Sequence, residues 1–126
     1  MNRRLGGGWA AVAVWLAIQL TLTSLPGAAI PVSVPHPIDW AGHFCLYAGL
    51  GGLIARVGSF SEWPRRKLLI AAVLISVGAA LDELHQLFIP GRDAEALDWL
   101  SDTLGAAVGL TAGFQLMKSR FAKWLR

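Results

Sequence analysis

The sequence predicts an all-α, polytopic membrane protein: a single-domain bundle of four transmembrane helices with both termini in the cytoplasm. Apolar residues make up 55% of the 126 residues and charged residues only 15%. The apolar residues form four runs of roughly 18 residues or more, about the length that a helix needs to span a bilayer. The charged residues collect near the ends of these runs. A chain of this length corresponds to one domain.

The first predicted span covers residues 9–25 and is closed by Pro26 and Gly27. A cleaved signal peptide also has a basic start, an apolar stretch and small residues at its end. We expect a retained span, because this run is long for a signal peptide and further spans follow it. Residues 27–37 should form an extended connector, since proline removes backbone donors and disfavours helix in the residue before it. This connector contains Pro31, Pro35 and Pro37.

The second and third predicted spans cover residues 38–57 and 67–89, with a polar, basic turn between them. Pro64 suits the first turn of the third helix, where its missing N–H is harmless. Pro90 and Gly91 should end that helix.

The fourth predicted span covers residues 94–117, and Asp93 is a suitable N-cap for it. Gly105, Gly109 and Gly113 recur along it at four-residue steps. Small residues at this spacing let two helices approach closely. The glycines therefore predict the face on which the fourth helix packs.

The distribution of Lys and Arg predicts the orientation, because cytoplasmic loops of membrane proteins carry an excess of these residues. Arg92 alone falls on one side of the predicted membrane. The other ten lie in the N-terminus, the turn after the second span with its flank, and the C-terminus: Arg3, Arg4, Arg56, Arg65, Arg66, Lys67, Lys118, Arg120, Lys123 and Arg126. Four spans with both termini in the cytoplasm follow from this count.

Composition argues against other classes of protein. The formal net charge is +3, but the basic residues sit in short flanks and do not form a folded basic face, so we expect no nucleic-acid partner. Cys45 is the only cysteine, which excludes an internal disulfide and predicts a thiol packed in a helix.

The region predicted to carry the function is the stretch 81–102, LDELHQLFIPGRDAEALDWLSD. Seven of the eight acidic residues and all three histidines fall on the outer side of the predicted bundle. Asp82 lies about 12 Å before the helix stop at Pro90, deep enough to be below the interface unless a water-filled cleft reaches it. Ionisable residues at such depth indicate a functional site.

Helical spacing predicts that three helices turn polar stripes toward one another at this level. The expected stripes are Asp39, His43 and Tyr47; Asp82, His85 and Gln86; and Asp98 and Asp102. Glu83 should point elsewhere. The predicted site is a polar cleft open to the outer face.

Candidate roles follow from the chemistry of these groups. Asp82 or Asp98 with His43 could transfer protons, since imidazole exchanges them near neutral pH. His43 could equally be a core histidine bonded to Asp39 or to a backbone carbonyl. Arg92 either pairs with Asp93 or Glu95, or binds an anionic group of a ligand or a neighbouring carboxylate. The remaining candidates for ligand binding are Asp39, Glu83, His85, Gln86, Asp102 and Tyr47.

A metal site built from His43, His85 and Asp82 has suitable ligand types, but no compact ligand motif supports it. We therefore expect neither a metal nor a cofactor.

Three motifs together resemble the VanZ-like family, and the resemblance covers residues 20–115. They are Asp39-x-x-x-His43-Phe44-x-x-Tyr47; Asp82-Glu83-Leu84-His85-Gln86-Leu87-Phe88-Ile89-Pro90-Gly91-Arg92; and Asp98-x-x-x-Asp102-Thr103-Leu104-Gly105-x-x-x-Gly109. Two positions depart from the family's usual pattern, which often has Lys at Trp40 and Asn at Asp102. Both departures make this site more acidic.

The resemblance implies a small bacterial protein of the cytoplasmic membrane, from a family whose founding member is associated with teicoplanin resistance and for which no enzymatic mechanism is established. We therefore expect an envelope protein, in contact with membrane lipid, that handles a lipid-linked or cell-wall-derived ligand, or an amphipathic antibiotic, at the outer leaflet. Two alternatives are a small proton-coupled transporter and an assembly module whose buried polar network only determines helix register.

Overall fold

The computed structural model describes residues 3–29, 34–60 and 62–124. Pro31 of the predicted connector and Arg126 of the basic tail lie outside these residues. Within them the chain is all-α, as predicted, with four α-helices: α1 (Arg3–Thr23), α2 (His36–Phe60), α3 (Arg65–Gln86) and α4 (Ala96–Trp124). A short 3₁₀ helix, Gly27–Ala29, follows α1.

Two of these helices are long and apolar enough to cross a membrane by length and composition: Leu5–Thr23 of α1 and Arg65–Gln86 of α3. Their large apolar side chains point outward to an unusual degree. Leu69, Val73 and Leu74 of α3, for example, are between 62% and 69% exposed. Soluble monomers rarely expose so much contiguous apolar surface. The exterior of α3 is therefore suited to lipid.

The most extensive helix contact is between α2 and α4, and glycine makes it possible. A Cβ added at Gly105 would strike the backbone of Phe44, and one added at Gly109 would strike the backbone of Ala48. Gly113 lies against Gly52. The predicted packing face of the fourth helix is confirmed. In these contacts, later residues of α4 meet later residues of α2, so the two helices run parallel.

The ends of the helices depart from the predicted bounds at the turn between α3 and α4. The third helix ends at Gln86, before Pro90, and the fourth begins at Ala96. Asp93 is therefore not its N-cap. The backbone N–H of Glu95 instead donates to the carboxylate Oε2 of Glu83, at 3.0 Å. A side chain from α3 thus replaces the predicted local cap.

The turn after α3 is also tied to the segment after α1. The N–H of Gly27 donates to the carbonyl of Pro90 at 3.0 Å. Gly91 has a φ of +75°, and a Cβ on Gly27 would collide with its carbonyl. Glycine is needed at both positions, because one backbone is left-handed and the other passes too close for a side chain. This contact links the segment after α1 to the turn between α3 and α4.

Candidate functional site

His43 of α2 lies between two aspartates of α4. Its Nδ1 is 2.9 Å from Oδ1 of Asp102, and its Nε2 is 3.8 Å from Oδ2 of Asp98. All three residues are buried, with Asp102 fully so. The parallel packing of α2 and α4 brings these residues together beside the first glycine contact, that of Gly105 with Phe44.

The predicted hydrogen-bond partners of His43 were Asp39 or a backbone carbonyl, and the structure corrects this to Asp102. Asp39 lies one turn earlier on α2 and is only half-buried. Residues four apart on one helix share a face, but that face is turned toward α4. The nearer carboxylate for the imidazole is therefore the one on the neighbouring helix.

On α3 the predicted polar face is correct for Asp82 and Gln86 and wrong for His85. Glu83 is buried and His85 is exposed, the reverse of the expectation. At about 100° per residue, a buried face centred on Ala79 and Gln86 includes Glu83 and excludes His85. Ala79, which is fully buried, lies on this face, which is the one that α3 turns toward the other helices.

The first helix contributes to the site, which the sequence did not predict. Oγ1 of Thr23 donates to Oδ1 of Asp82 at 3.0 Å, and both residues are buried. Gln19, one turn earlier on α1, is buried as well. Two polar residues four apart within an apolar run were the available signal, since such spacing places them on one face.

Arg92 does not pair with a carboxylate in the described part of the chain. Its Nε and Nη2 both donate to Oε1 of Gln86, at 3.2 and 2.9 Å. Nε2 of Gln86 in turn donates to Oε1 of Glu83, at 3.3 Å. The predicted partners Asp93 and Glu95 are thus replaced by a neutral amide. Through that amide the arginine is linked to the buried Glu83.

Tyr47 is buried on α2, one turn beyond His43, where it borders the apolar core. The structure thus brings eight of the predicted residues into one polar cluster: Asp39, His43, Asp82, Glu83, Gln86, Arg92, Asp98 and Asp102. His85 lies outside this polar cluster. Tyr47 lies between the cluster and the apolar core.

Two sets of side chains in this cluster bring ligand atoms within 4.8 Å of one another: Asp39, His43 and Asp98, and His43, Glu83 and Asp102. Neither set contains His85, so the site considered from ligand types in the sequence is not formed. Buried oxygens without a hydrogen-bond partner among the described residues include Oδ1 of Asp98 and Oδ2 of Asp102. Buried polar atoms normally have a partner, so these two point to a ligand, water or proton.

The arrangement is suited to moving or holding a proton or a cation. A neutral imidazole carries one N–H and one lone pair, and here each ring nitrogen faces a different carboxylate. Carboxylates buried together are costly unless a counter-charge or a proton neutralises them.

The comparison with protein families agrees with the motifs. The model of the family described as VanZ/LLP1 matches residues 9–117, which include most of each of the four helices and every residue of the polar cluster. No curated protein and no solved structure matches the chain. Because the family model covers most of its length, the chain belongs to the VanZ/LLP1 family.

Proposed function

We propose that this protein is a four-span protein of the bacterial cytoplasmic membrane, with both termini inside and the polar cluster at the outer leaflet. Helices α2 and α4, of 25 and 29 residues, are about 37 and 43 Å long and exceed the roughly 30 Å of a hydrocarbon core. Asp98 and Asp102 of α4 are buried beside His43, while α1 and α3 present apolar side chains outward. Ionisable residues in membrane spans face the interior of the bundle, because exposing them to lipid is costly.

The cluster's proposed role is to bind, or act on, a lipid-linked or cell-wall-derived ligand that enters from the outer end of the bundle. The observation that carries this proposal is the buried contact of His43 with Asp98 and Asp102 beside two unpartnered carboxylate oxygens. A cluster that served only to join helices would be expected to satisfy its own polar atoms. Arg92, half-buried at the same end, would meet an anionic part of the ligand.

Two other functions receive less support. For proton-coupled transport, the ionisable residues of the cluster should continue toward the cytoplasm. The buried residues that the structure describes beyond Tyr47 on α2 and beyond Asp102 on α4 carry no ionisable group and include Leu50, Ala55 and Leu110. In an assembly module, the unpartnered oxygens of Asp98 and Asp102 would only lower stability. The two experiments below separate both functions from the proposal.

The test is protection of a bacterium that has no outer membrane against teicoplanin, the antibiotic that the family resemblance suggests. The wild type is compared with His43→Gln and Asp102→Asn at membrane levels matched by immunoblot. The matched control is His85→Ala, an exposed histidine on the same end of the bundle. We expect the wild type and the control to protect and both cluster variants to lose protection.

Equal protection by all four proteins would contradict a role of the cluster in the function and favour the assembly module. Absence of protection by the wild type would remove the glycopeptide as the ligand. In that case proton flux into liposomes, present in the wild type and lost in Asp82→Asn, would establish the transporter instead.

A further inference from the structure

The hydrogen bond between His43 and Asp102 determines which ring nitrogen is free. An ionised carboxylate only accepts, so at 2.9 Å the Nδ1 of His43 carries the proton and donates it to Asp102. When the imidazole is neutral, the lone pair is then on Nε2, which faces Asp98. Metal-binding histidines are commonly oriented in this way, with the second ring nitrogen donating to a carboxylate.

The space in front of Nε2 is bounded by carboxylates. Ligand atoms of Asp39, His43 and Asp98 all lie within 4.8 Å of one another. The 3.8 Å between Nε2 and Oδ2 of Asp98 is too long for a hydrogen bond. Two ligands of a tetrahedral Zn²⁺ are about 3.3 Å apart, given bond lengths near 2.0–2.1 Å. An approach of about 0.5 Å between Nε2 and Oδ2 of Asp98 would bring this pair to that separation.

Asp98 supplies independent evidence for a ligand. The residue is only 4% exposed, and its Oδ1 is buried without a hydrogen-bond partner among the described residues. A buried carboxylate oxygen without a donor is costly, so the site lacks one positively charged or donating component.

The charges of the neighbourhood indicate that this component is a cation. Around His43 lie the carboxylates of Asp39, Asp98 and Asp102, and the buried Asp82 and Glu83 of α3 add further negative charge. Arg92, the cation on this end of the described chain, donates to the neutral Gln86. A divalent cation among the first three carboxylates would offset most of their charge.

The second set of ligand atoms, which includes Glu83, is less suitable. Both oxygens of Glu83 already accept hydrogen bonds, Oε1 from Gln86 and Oε2 from the N–H of Glu95. A metal there would also displace the proton that Nδ1 of His43 donates to Asp102. A metal bound by Asp39, His43 and Asp98 would leave both the hydrogen bonds of Glu83 and the proton on Nδ1 of His43 in place.

We propose that Asp39, His43 and Asp98 form a binding site for a divalent cation of the Zn²⁺ class, and that Asp102 is the positioning residue that holds the imidazole. One imidazole and two carboxylates suit Zn²⁺ better than Mg²⁺, which prefers oxygen ligands and retains its waters. Three protein ligands leave a fourth position open, as in catalytic zinc sites. Asp39 is half-buried and lies in the first turn of α2, at the end of the bundle from which a ligand would enter.

The test is Zn²⁺ binding to the purified full-length chain in detergent after chelator treatment, measured by calorimetry, with Co²⁺ absorption as a probe of the ligands. The wild type should bind one ion and give the visible spectrum of four-coordinate Co²⁺. Asp98→Asn and His43→Gln should each lower the affinity at least tenfold. Asp102→Asn should lower it about 10- to 100-fold, the range typical of carboxylates that orient a metal-binding histidine.

Two controls separate this site from surface histidines. His85→Ala and His36→Ala remove exposed imidazoles, and His36 lies 3.7 Å from the carboxylate of Glu95, where an ion could bind adventitiously. Both controls should leave the affinity unchanged. Asp39→Asn, at a half-buried position, provides a ligand variant that should fold even if the buried ones do not.

The proposal is overturned if the wild type binds no Zn²⁺ at millimolar concentration, or if His36→Ala abolishes binding while Asp39→Asn and Asp98→Asn retain it. The measurement uses neither antibiotic nor lipid. Failure of metal binding is therefore distinguishable from failure of the proposed ligand-binding function.

Discussion

His43 is held by a carboxylate 59 positions further along the chain, and this contact decides the chemistry of the site. The imidazole is buried among apolar helices, where an unsatisfied ring nitrogen would be costly. Asp102 satisfies one nitrogen and leaves the other for Asp98. The contact of His43 with Asp102 thus joins α2 to α4, and it also orients the imidazole that would bind a ligand.

At the residue scale, we predict that Asp102→Ala lowers the free energy of unfolding by about 3 kcal/mol, since it leaves a buried imidazole without its charged partner. The measurement is an SDS titration in mixed micelles followed by circular dichroism. Asp93→Ala changes an exposed carboxylate at the same end and should alter the value by less than about 0.5 kcal/mol. Equal stability of the two variants would show that the His43 contact contributes nothing to folding.

At the scale of the elements, the backbone contact between α2 and α4 sets the level at which their polar residues meet. Gly105 lies on Phe44 and Gly109 on Ala48, so a helix shift of one turn would move Asp102 away from His43. The packing of small residues and the geometry of the site are therefore one feature. A wider separation of α2 and α4 would disrupt both the glycine packing and the contact of His43 with Asp102.

We predict that Gly109→Ala destabilises the bundle and weakens the His43–Asp102 contact, because the new Cβ would meet the carbonyl of Ala48. Gly78→Ala is the matched control, since a Cβ there has nothing within 4 Å. That control should be neutral or stabilising by up to about 1 kcal/mol, the difference in helix propensity. The measurement is again SDS-induced unfolding, and a Gly109→Ala protein as stable as Gly78→Ala would contradict the packing argument.

At the scale of the whole molecule, the polar cluster lies at the end of the bundle that carries one arginine, and the basic turn before α3 lies at the other. In the proposed topology, which follows the positive-inside rule, the cluster would lie at the outer leaflet. This assignment matters for function, because only an outward-facing site could meet a cell-wall-derived ligand.

The topology can be tested with single cysteines in a background where Cys45 is replaced by serine. Asp93→Cys and Glu62→Cys place thiols at exposed positions of the two opposite turns. In intact cells, a membrane-impermeant maleimide should label the first, while the second should react only after permeabilisation. Labelling in the reverse order would invert the orientation and remove the proposed access from outside.

The sequence by itself determined the number and approximate bounds of the helices, the glycine face of α4 and the end of the bundle at which polar residues gather. These follow from apolar run length and from spacing within one helix, which are local properties. The tertiary structure decided that Asp102 holds His43, that Glu83 faces inward where His85 was expected, and that Thr23 of α1 reaches Asp82. Spacing along a helix shows which residues share a face, but the direction of that face and its level against a neighbour depend on packing between helices.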